Sequence, residues 1–443
     1  MSKLYSYKTI WQIAFPIIIS GIAQNVVNVT DTAFLGQVSN AAMGAAGNAG
    51  IFYFVLIITG MGFTIGAQII IARRNGENNQ LQIGKIVDHT FYFILPLAVL
   101  AFVLVKLFAP LFFNTITHSE NILLLANEFI QTRIWGIFFA FLNFTFVAFY
   151  VGITKTKILT YVTILMMLIN VLLDYTLIFG HFGFPEMGVK GAALASVISE
   201  GCAFLFFLGY TLKKIDLNRY RLFEFKKFEL PLFKSMFRVS SPIMLQNFLS
   251  LSSWFIFFMI IEKLGEDELA ISHIVRSIYM VLMIPLFGFS NATNTLVSNI
   301  IGEGRSHEVL GMIKKIIWMS LGFTFVLSFV SFFIPEFLAS FYTNSSELVS
   351  KTVGALRVIN FTMFFFSISF ILFSGVTGTG NTRTSLLIEA TNIVIYLASA
   401  YYIAIVLKSA LPVVWASEFI YFGFLGLFSY LYLKYGNWKK KQI

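Results

Sequence analysis

Ala14-Phe15-Pro16-Ile17 and Ser240-Ser241-Pro242-Ile243 stand 226 positions apart (242 − 16), and the same shift brings much of the chain into register with itself. Gly62-Phe63 falls on Gly288-Phe289, and Gly76-Glu77 on Gly302-Glu303. Thr117 and Ser119 fall on Thr343 and Ser345; Gly152 falls on Gly378, Thr156 on Thr382 and Lys157 on Arg383. Chance supplies one or two such matches, but not Pro, Gly and Gly-Glu at equivalent points. The chain is therefore read as a tandem duplication.

Composition says what was duplicated. Of 443 residues 58% are hydrophobic and only 12% charged, and mean hydropathy is +0.81. A soluble protein needs roughly a quarter of its residues charged to cover its surface. Twelve membrane helices need about 240 apolar residues, and 0.58 × 443 supplies about 257. The apolar runs lie at 10–32, 50–72, 91–111, 130–151, 158–179, 188–212, 239–262, 273–300, 313–334, 355–377, 384–407 and 411–433. Runs of this length indicate helices, because barrel strands would alternate over about ten residues. The expectation is an all-α integral membrane protein of twelve transmembrane helices, in two six-helix lobes related by a parallel repeat. Residues 1–212 form the N-lobe, 213–238 a basic linker and 239–443 the C-lobe. The first run, broken by Gln24, Asn25 and Asn28, does not read as a cleaved signal peptide.

Charge gives orientation. Of the 31 Lys and Arg, 23 flank one side, including Lys3, Arg73, Arg74, Lys85, the eight of 213–238, Arg305, Lys440 and Lys441. Seven flank the other side, Arg133 among them, and Arg276 lies inside a span. The positive-inside rule then puts both termini in the cytoplasm, which twelve spans allow. An even number of spans per repeat inserts both halves the same way up, with an axis along the membrane normal and a cavity between them. Alternating access needs two facing halves, so the repeat argues for a transporter. The Gly-x-x-x-Asp-Arg signature of the major facilitators is missing from the first cytoplasmic loop, Ile71-Ala-Arg-Arg-Asn-Gly-Glu-Asn-Asn79.

Few polar groups lie inside the spans, and ionisable ones there mark a pathway or a site. Ser20, Gln24, Asn28 and Asp31 recur at steps of 4, 4 and 3 on one face of span 1. Thr163, Asn170 and Asp174 do so on span 5, and Ser196 and Glu200 on span 6. At 1.5 Å per residue Asn170 and Asp174 lie about 18 and 24 Å along span 5, and Ser196 about 12 Å inward on span 6. With Asp31 near the outer end of span 1, these groups can share one cavity in the outer half of the bilayer. Oxygen ligands suit a hard cation such as Na+, and shielded carboxylates can carry protons. Ser, Thr, Asn and Gln also serve plain helix-to-helix hydrogen bonding, whereas two carboxylates are poor glue. At the repeat offset Asp31 maps to Phe257, Asn170 to Tyr396 and Asp174 to Ala400, which assigns coupling to the first half. Further cavity-lining candidates are Gln246, Ser250, Arg276, Asn294 and Glu389. The five histidines (His89, His118, His181, His273, His307) are scattered, so no metal cluster is expected. The single Cys202 can form no disulfide within the chain.

These residues are similar to those of the multidrug and toxic compound extrusion (MATE) antiporters, within a superfamily that includes polysaccharide exporters and lipid II flippases. The resemblance rests on Pro16 with Asp31-Thr-Ala-Phe-Leu-Gly36, Gly62-Phe63 to Gly76-Glu77, Asn170 with Asp174-Tyr-Thr-Leu-Ile-Phe-Gly180, and Gly188-Val-Lys-Gly-Ala-Ala-Leu-Ala-Ser196. It implies a V-shaped two-lobe fold and drug efflux driven by Na+ or H+ antiport, with no other cofactor. Asp31, Asn170, Asp174, Ala192 and Ser196 match the family's N-lobe cation-site positions, and Pro16 the bending point of helix 1. The NorM-like branch carries acids in helices 7 and 10, where Ser250 and Phe366 stand here, so the chain resembles the DinF-like branch. The expected protein is a bacterial inner-membrane monomer, with amphiphilic substrates and no nucleic-acid partner. A flippase for lipid-linked oligosaccharide would use the same fold but needs a wide cationic cavity. A membrane enzyme would need a clustered catalytic set, and none is visible.

Overall fold

The computed structural model describes residues 6–116, 119–343 and 345–439. Thr117 and His118, and Lys3, Lys440 and Lys441 of the cations counted above, lie outside the described residues. Seven helices come first: α1 (Tyr7–Val38), α2 (Asn40–Gly76), α3 (Gln80–Ile116), α4 (Glu120–Arg133), α5 (Gly136–Gly152), α6 (Lys157–Phe179) and α7 (Gly188–Lys214). The short α8 (Leu217–Tyr220) leads to α9 (Leu230–Glu262), α10 (Glu266–Gly302), α11 (Val309–Phe333) and the short α12 (Pro335–Ser340). The chain ends with α13 (Ser346–Gly378), α14 (Thr382–Tyr401), the short α15 (Leu411–Trp415) and α16 (Ser417–Tyr435). Among the described residues, eleven helical stretches are long and apolar enough to cross a bilayer, and α4 with α5, bent by 48°, makes a twelfth when counted as one span.

Hydrocarbon offers no hydrogen bonds, so a spanning segment must satisfy its backbone internally, and a helix does so. Several buried hydroxyls follow the same rule. Thr90, Thr145, Thr211, Thr293 and Thr362 each donate to the carbonyl four residues earlier. Leu107, Leu205, Phe333 and Leu387, each more than 60% exposed, form part of an apolar exterior suited to lipid.

The repeated residues prove to be contact points and caps. A Cβ on Gly62 would sit 2.8 Å from the Met244 Cα, and one on Gly288 would overlap Ile18. Met244 is itself 226 positions after Ile18, so one helix crossing is built twice. Gly152 lies against Gln68 and Ile71, and its twin Gly378 against their twins Asn294 and Val297. The caps pair as well. Ser119 accepts from the Ile122 N–H and Ser345 from the Leu348 N–H, while Glu77 and Glu303 close α2 and α10.

The chain divides into two compact units, Ile19–Met244 on one hand and Met1–Ile18 with Leu245–Ile443 on the other. The seams follow Pro16 and Pro242 at equivalent positions and differ from the expected breaks at 212 and 239. Both helices run on through their prolines, so the division falls inside α1 and α9. The first part of α1 belongs with α10 and α11 because Trp11 packs on Phe289 and Phe323, with ring centroids 6.5 and 5.2 Å away.

Segment 213–238, read as a basic linker, is strapped to α3. Asp88 accepts from the Phe223 and Phe225 N–H groups at 3.1 and 3.0 Å, and His89 from the Glu229 N–H at 2.8 Å. Tyr92 donates to the Lys226 carbonyl at 2.8 Å. Arg221, Phe223 and Phe225 take left-handed conformations (φ 52°, 61° and 44°), which these bonds hold in place. Lys85, 2.7 Å from Glu229, holds that carboxyl below its usual range through their hydrogen bond. With its folded pKa lowered, Glu229 contributes stability at neutral pH that is lost as pH falls through the lowered value.

Gly62→Ala and Gly288→Ala should each destabilise the folded protein by about 1–3 kcal/mol through overpacking. Gly322→Ala, where a Cβ meets nothing within 4 Å, should not. Thermal unfolding of the purified protein in detergent checks all three, and equal melting temperatures would contradict the crossing.

Candidate functional site

Three helices of the Ile19–Met244 unit bring the predicted acids together. Asn170 and Asp174, one turn apart on α6, are both 0% exposed. With its amide oriented to satisfy both neighbours, Asn170 donates to Asp174 Oδ2 at 3.2 Å and to Asp31 Oδ1 at 3.1 Å. The half-buried Asp31 on α1 also lies close to Asp174 and to Ser196 of α7, near enough for both to act on its carboxyl. The close packing of α6 on α7 explains the Gly-rich stretch after residue 188: a Cβ on Gly191 would lie 2.7 Å from the Leu177 backbone. A second tie lies along the same two helices, where Thr163 donates to Ser20 at 3.0 Å. Ala192 packs in an apolar cluster with Leu35, Ala42, Ile178 and Val189.

Two carboxyl groups in contact cannot both stay bare, because like charges at this separation repel strongly in a poorly solvated setting. A shared proton or a bound cation relieves the repulsion. The donor set fits either one. Asp31, Asp174 and the Ser196 hydroxyl offer oxygens, and the Asn170 amide can turn its oxygen toward a hard cation such as Na+. One Asp174 oxygen, Oδ1, is buried without a donor. Among the described residues no cluster of three or more His, Cys, Asp or Glu could hold a transition metal.

Beside this pair lies a feature that sequence reasoning missed. Arg133, counted above as a flanking cation, makes a bidentate pair with Glu200: Nη1 to Oε2 at 2.9 Å and Nη2 to Oε1 at 2.5 Å. Its guanidinium centres 4.2 Å over the Tyr53 ring, donates to the Tyr53 hydroxyl at 3.2 Å, and acts electrostatically on Asp31. The span was read as starting near residue 130, whereas the helix starts at Glu120 and breaks after Arg133. Arg133 is thus about 20 Å along from Glu120 and Glu200 about 18 Å along from Gly188, at comparable depth. Gly136, first residue of α5, leaves room for the pair, since a Cβ there would overlap Arg133 and lie 2.5 Å from Glu200. Depth matching between Arg133 and Glu200 was the available signal.

The remaining cavity candidates are dispersed. Gln24 and Asn28 are exposed, and Gln246 is half-buried. Asn294 is buried beside Gly378. Arg276 lies 5.1 Å over the Phe258 ring, and Ser250 donates to Glu389 at 2.7 Å. At the repeat-equivalent place, Phe257 and Tyr396 pack with centroids 5.5 Å apart beside the fully buried Ala400.

Glu200→Gln should destabilise the protein by about 1–3 kcal/mol, since it leaves a largely buried guanidinium without its countercharge. The joint change Arg133→Met with Glu200→Leu should restore most of that loss. Unfolding in detergent with all three proteins decides it, and a silent Glu200→Gln would refute a buried pair.

The MatE family profile matches residues 16–176 and 242–402, two copies offset by the same 226 positions. A probable multidrug resistance protein NorM of Thermotoga maritima is 26% identical over 445 residues, covering 98% of this chain and 94% of its own. Its namesake in Rhizobium meliloti is 26% identical over 332 residues, 74% of this chain and 71% of its own. A solved structure of MATE in complex with MaL6 superposes with a TM-score of 0.90 at 19% identity, covering 98% of both chains. An outward-facing multidrug resistance MATE transporter of the MOP superfamily gives 0.89 at 19% identity, covering 98% of this chain and 96% of that one. With both halves matched from their prolines onward, the chain belongs to the MatE family of multidrug and toxic compound extrusion transporters.

Proposed function

We propose that this multi-pass membrane protein exports amphiphilic, often cationic compounds by alternating access, coupled to inward movement of Na+ or H+ through the Asp31–Asp174 pair. The observation that carries the reading is the contact between these carboxyls, bridged by Asn170 at membrane depth. The names of the multidrug-resistance relatives support the substrate class. The cation bias argues for both termini in the cytoplasm, here of a bacterial inner membrane.

In the cycle, binding of one positive charge takes the pair from −2 to −1 and relieves the repulsion between α1 and α6. Pro16 lacks the N–H that would close the preceding turn, so α1 can change its bend there at little cost and couple ion occupancy to substrate release. Discharge of the ion toward the cytoplasm restores the charged pair. The lipid-linked-oligosaccharide flippase is not favoured: Arg133 is already paired with Glu200 and Arg276 lies on an aromatic ring, so neither stands bare to cradle a pyrophosphate.

Asp31→Asn should reduce ion-driven efflux by at least tenfold in everted vesicles while the protein stays folded. Efflux of a fluorescent cationic dye, measured under separately imposed Na+ and pH gradients, identifies the ion. Undiminished efflux by the variant would overturn the assignment.

A further inference from the structure

The Leu245–Ile443 part of the chain holds buried acids that have no place in the scheme above. Glu389 on α14 is 2% exposed and Glu418 on α16 is 4% exposed. Neither has an ion-pair partner among the described residues. Glu389 Oε1 accepts from the Ser250 hydroxyl at 2.7 Å and from Tyr421 at 2.8 Å. Glu418 Oε1 accepts from Tyr396 at 2.8 Å. The rings of Tyr396 and Tyr421 lie 5.2 Å apart, so the two tyrosines join the acids into one network across α9, α14 and α16.

Unpartnered groups sit in the same place. Glu389 Oε2 is buried with no hydrogen-bond partner. Asn392, one turn along α14 and 0% exposed, has neither amide atom satisfied, and the Tyr279 hydroxyl of α10 is likewise buried and unpaired. Glu389, Asn392, Tyr396 and Ala400 follow at steps of 3, 4 and 4, one face of the helix. The titratable groups that act on these carboxyls are Tyr279, Tyr396 and Tyr421. Of the other packed elements, α9 brings Ser250 and Phe257 and α15 brings Trp415. His273 and Arg276 of α10 stack on Phe258 instead.

The repeat sharpens the picture. Glu418 stands 226 positions after Ala192, and Tyr396 the same distance after Asn170. The second half therefore lacks the acids of the first at their own positions, yet puts an acid into the equivalent place from a different helix.

We infer that Glu389 and Glu418 form a second proton-binding site, separate from the Asp31–Asp174 pair. Uptake moves one proton from bulk water to a carboxylate oxygen, forms an O–H bond and cancels one buried negative charge; the Asn392 amide and Tyr279 hydroxyl then have a neutral carboxyl to bond. A proton needs no room. A metal cation would need about six oxygens around it, and the acids here already face ring hydroxyls in a closely packed aromatic setting. The inference adds a site to the coupling reading, but its test reads protonation and not transport, so either can fail alone.

Reconstituted wild type, Asp31→Asn/Asp174→Asn and Glu389→Gln/Glu418→Gln proteins are titrated with acid under infrared difference spectroscopy, in water and in deuterated water. Glutamine keeps the oxygen that accepts from Ser250, Tyr396 and Tyr421, and circular dichroism verifies the fold. The expected result is a buried protonated-carboxyl component that persists without the aspartates and is lost without the glutamates. Tyr421→Phe, which removes one donor to Glu389, should shift that component. A glutamine double variant with the wild-type spectrum overturns the inference. So does a glutamate component erased by replacing K+ with Na+ at constant pH, which would make it a metal-cation site.

Discussion

Hydrocarbon cannot solvate a charge or a peptide group, and every polar feature of this chain is arranged around that constraint. Helices close their own backbone bonds, and buried threonines return their hydroxyls to the preceding turn. Charges have harder terms. Arg133 and Glu200 answer with each other, in bidentate geometry with Tyr53 beneath the guanidinium. Asp31 and Asp174 have no such partner in contact and share only an amide and a hydroxyl. In the proposed cycle their mutual repulsion is what a proton or cation relieves, and it links ion occupancy to helix position.

Duplication left different traces at different kinds of residue. Gly62 and Gly288 persist because each lets two helices touch where a single methyl group would collide with Met244 or Ile18. Contacts of that kind depend on backbone geometry, which both halves share. Charged positions have no such tie. Where the first half has Asp31 and Asn170 the second has Phe257 and Tyr396, an aromatic pair that fills the space, while Glu389 and Glu418 enter from other helix positions. Equivalent helices thus carry unequal chemistry.

Pro16 and Pro242 belong to both stories. Each lies within a continuous helix that is divided between two compact units just beyond the proline. A missing N–H at such a point weakens the helix where its packing partners change, which is a sensible place for bending.

Much of this was legible in the chain. Run lengths gave the spans, the constant offset gave the duplication, and helical spacing placed Asn170 and Asp174 on one face, because these depend on local periodicity and length. Arg133 was misread because a break after residue 133 is a tertiary feature; without it the span seems to begin ten residues later than it does. The strap from Phe223 to Glu229 was read only as part of a basic linker, since nothing local announces that Asp88 and His89 will bind its N–H groups. Glu389 was read as a cavity-lining candidate, and only the fold sets it and Glu418, 29 positions on (418 − 389), around Tyr396 and Tyr421. By itself the sequence determined how many helices cross the membrane, that they come in two sets of six, and which acids stand on which helix faces. Which side chains meet was decided by tertiary packing, because in a bilayer the partner of a charge is whatever polar group another helix brings to the same depth.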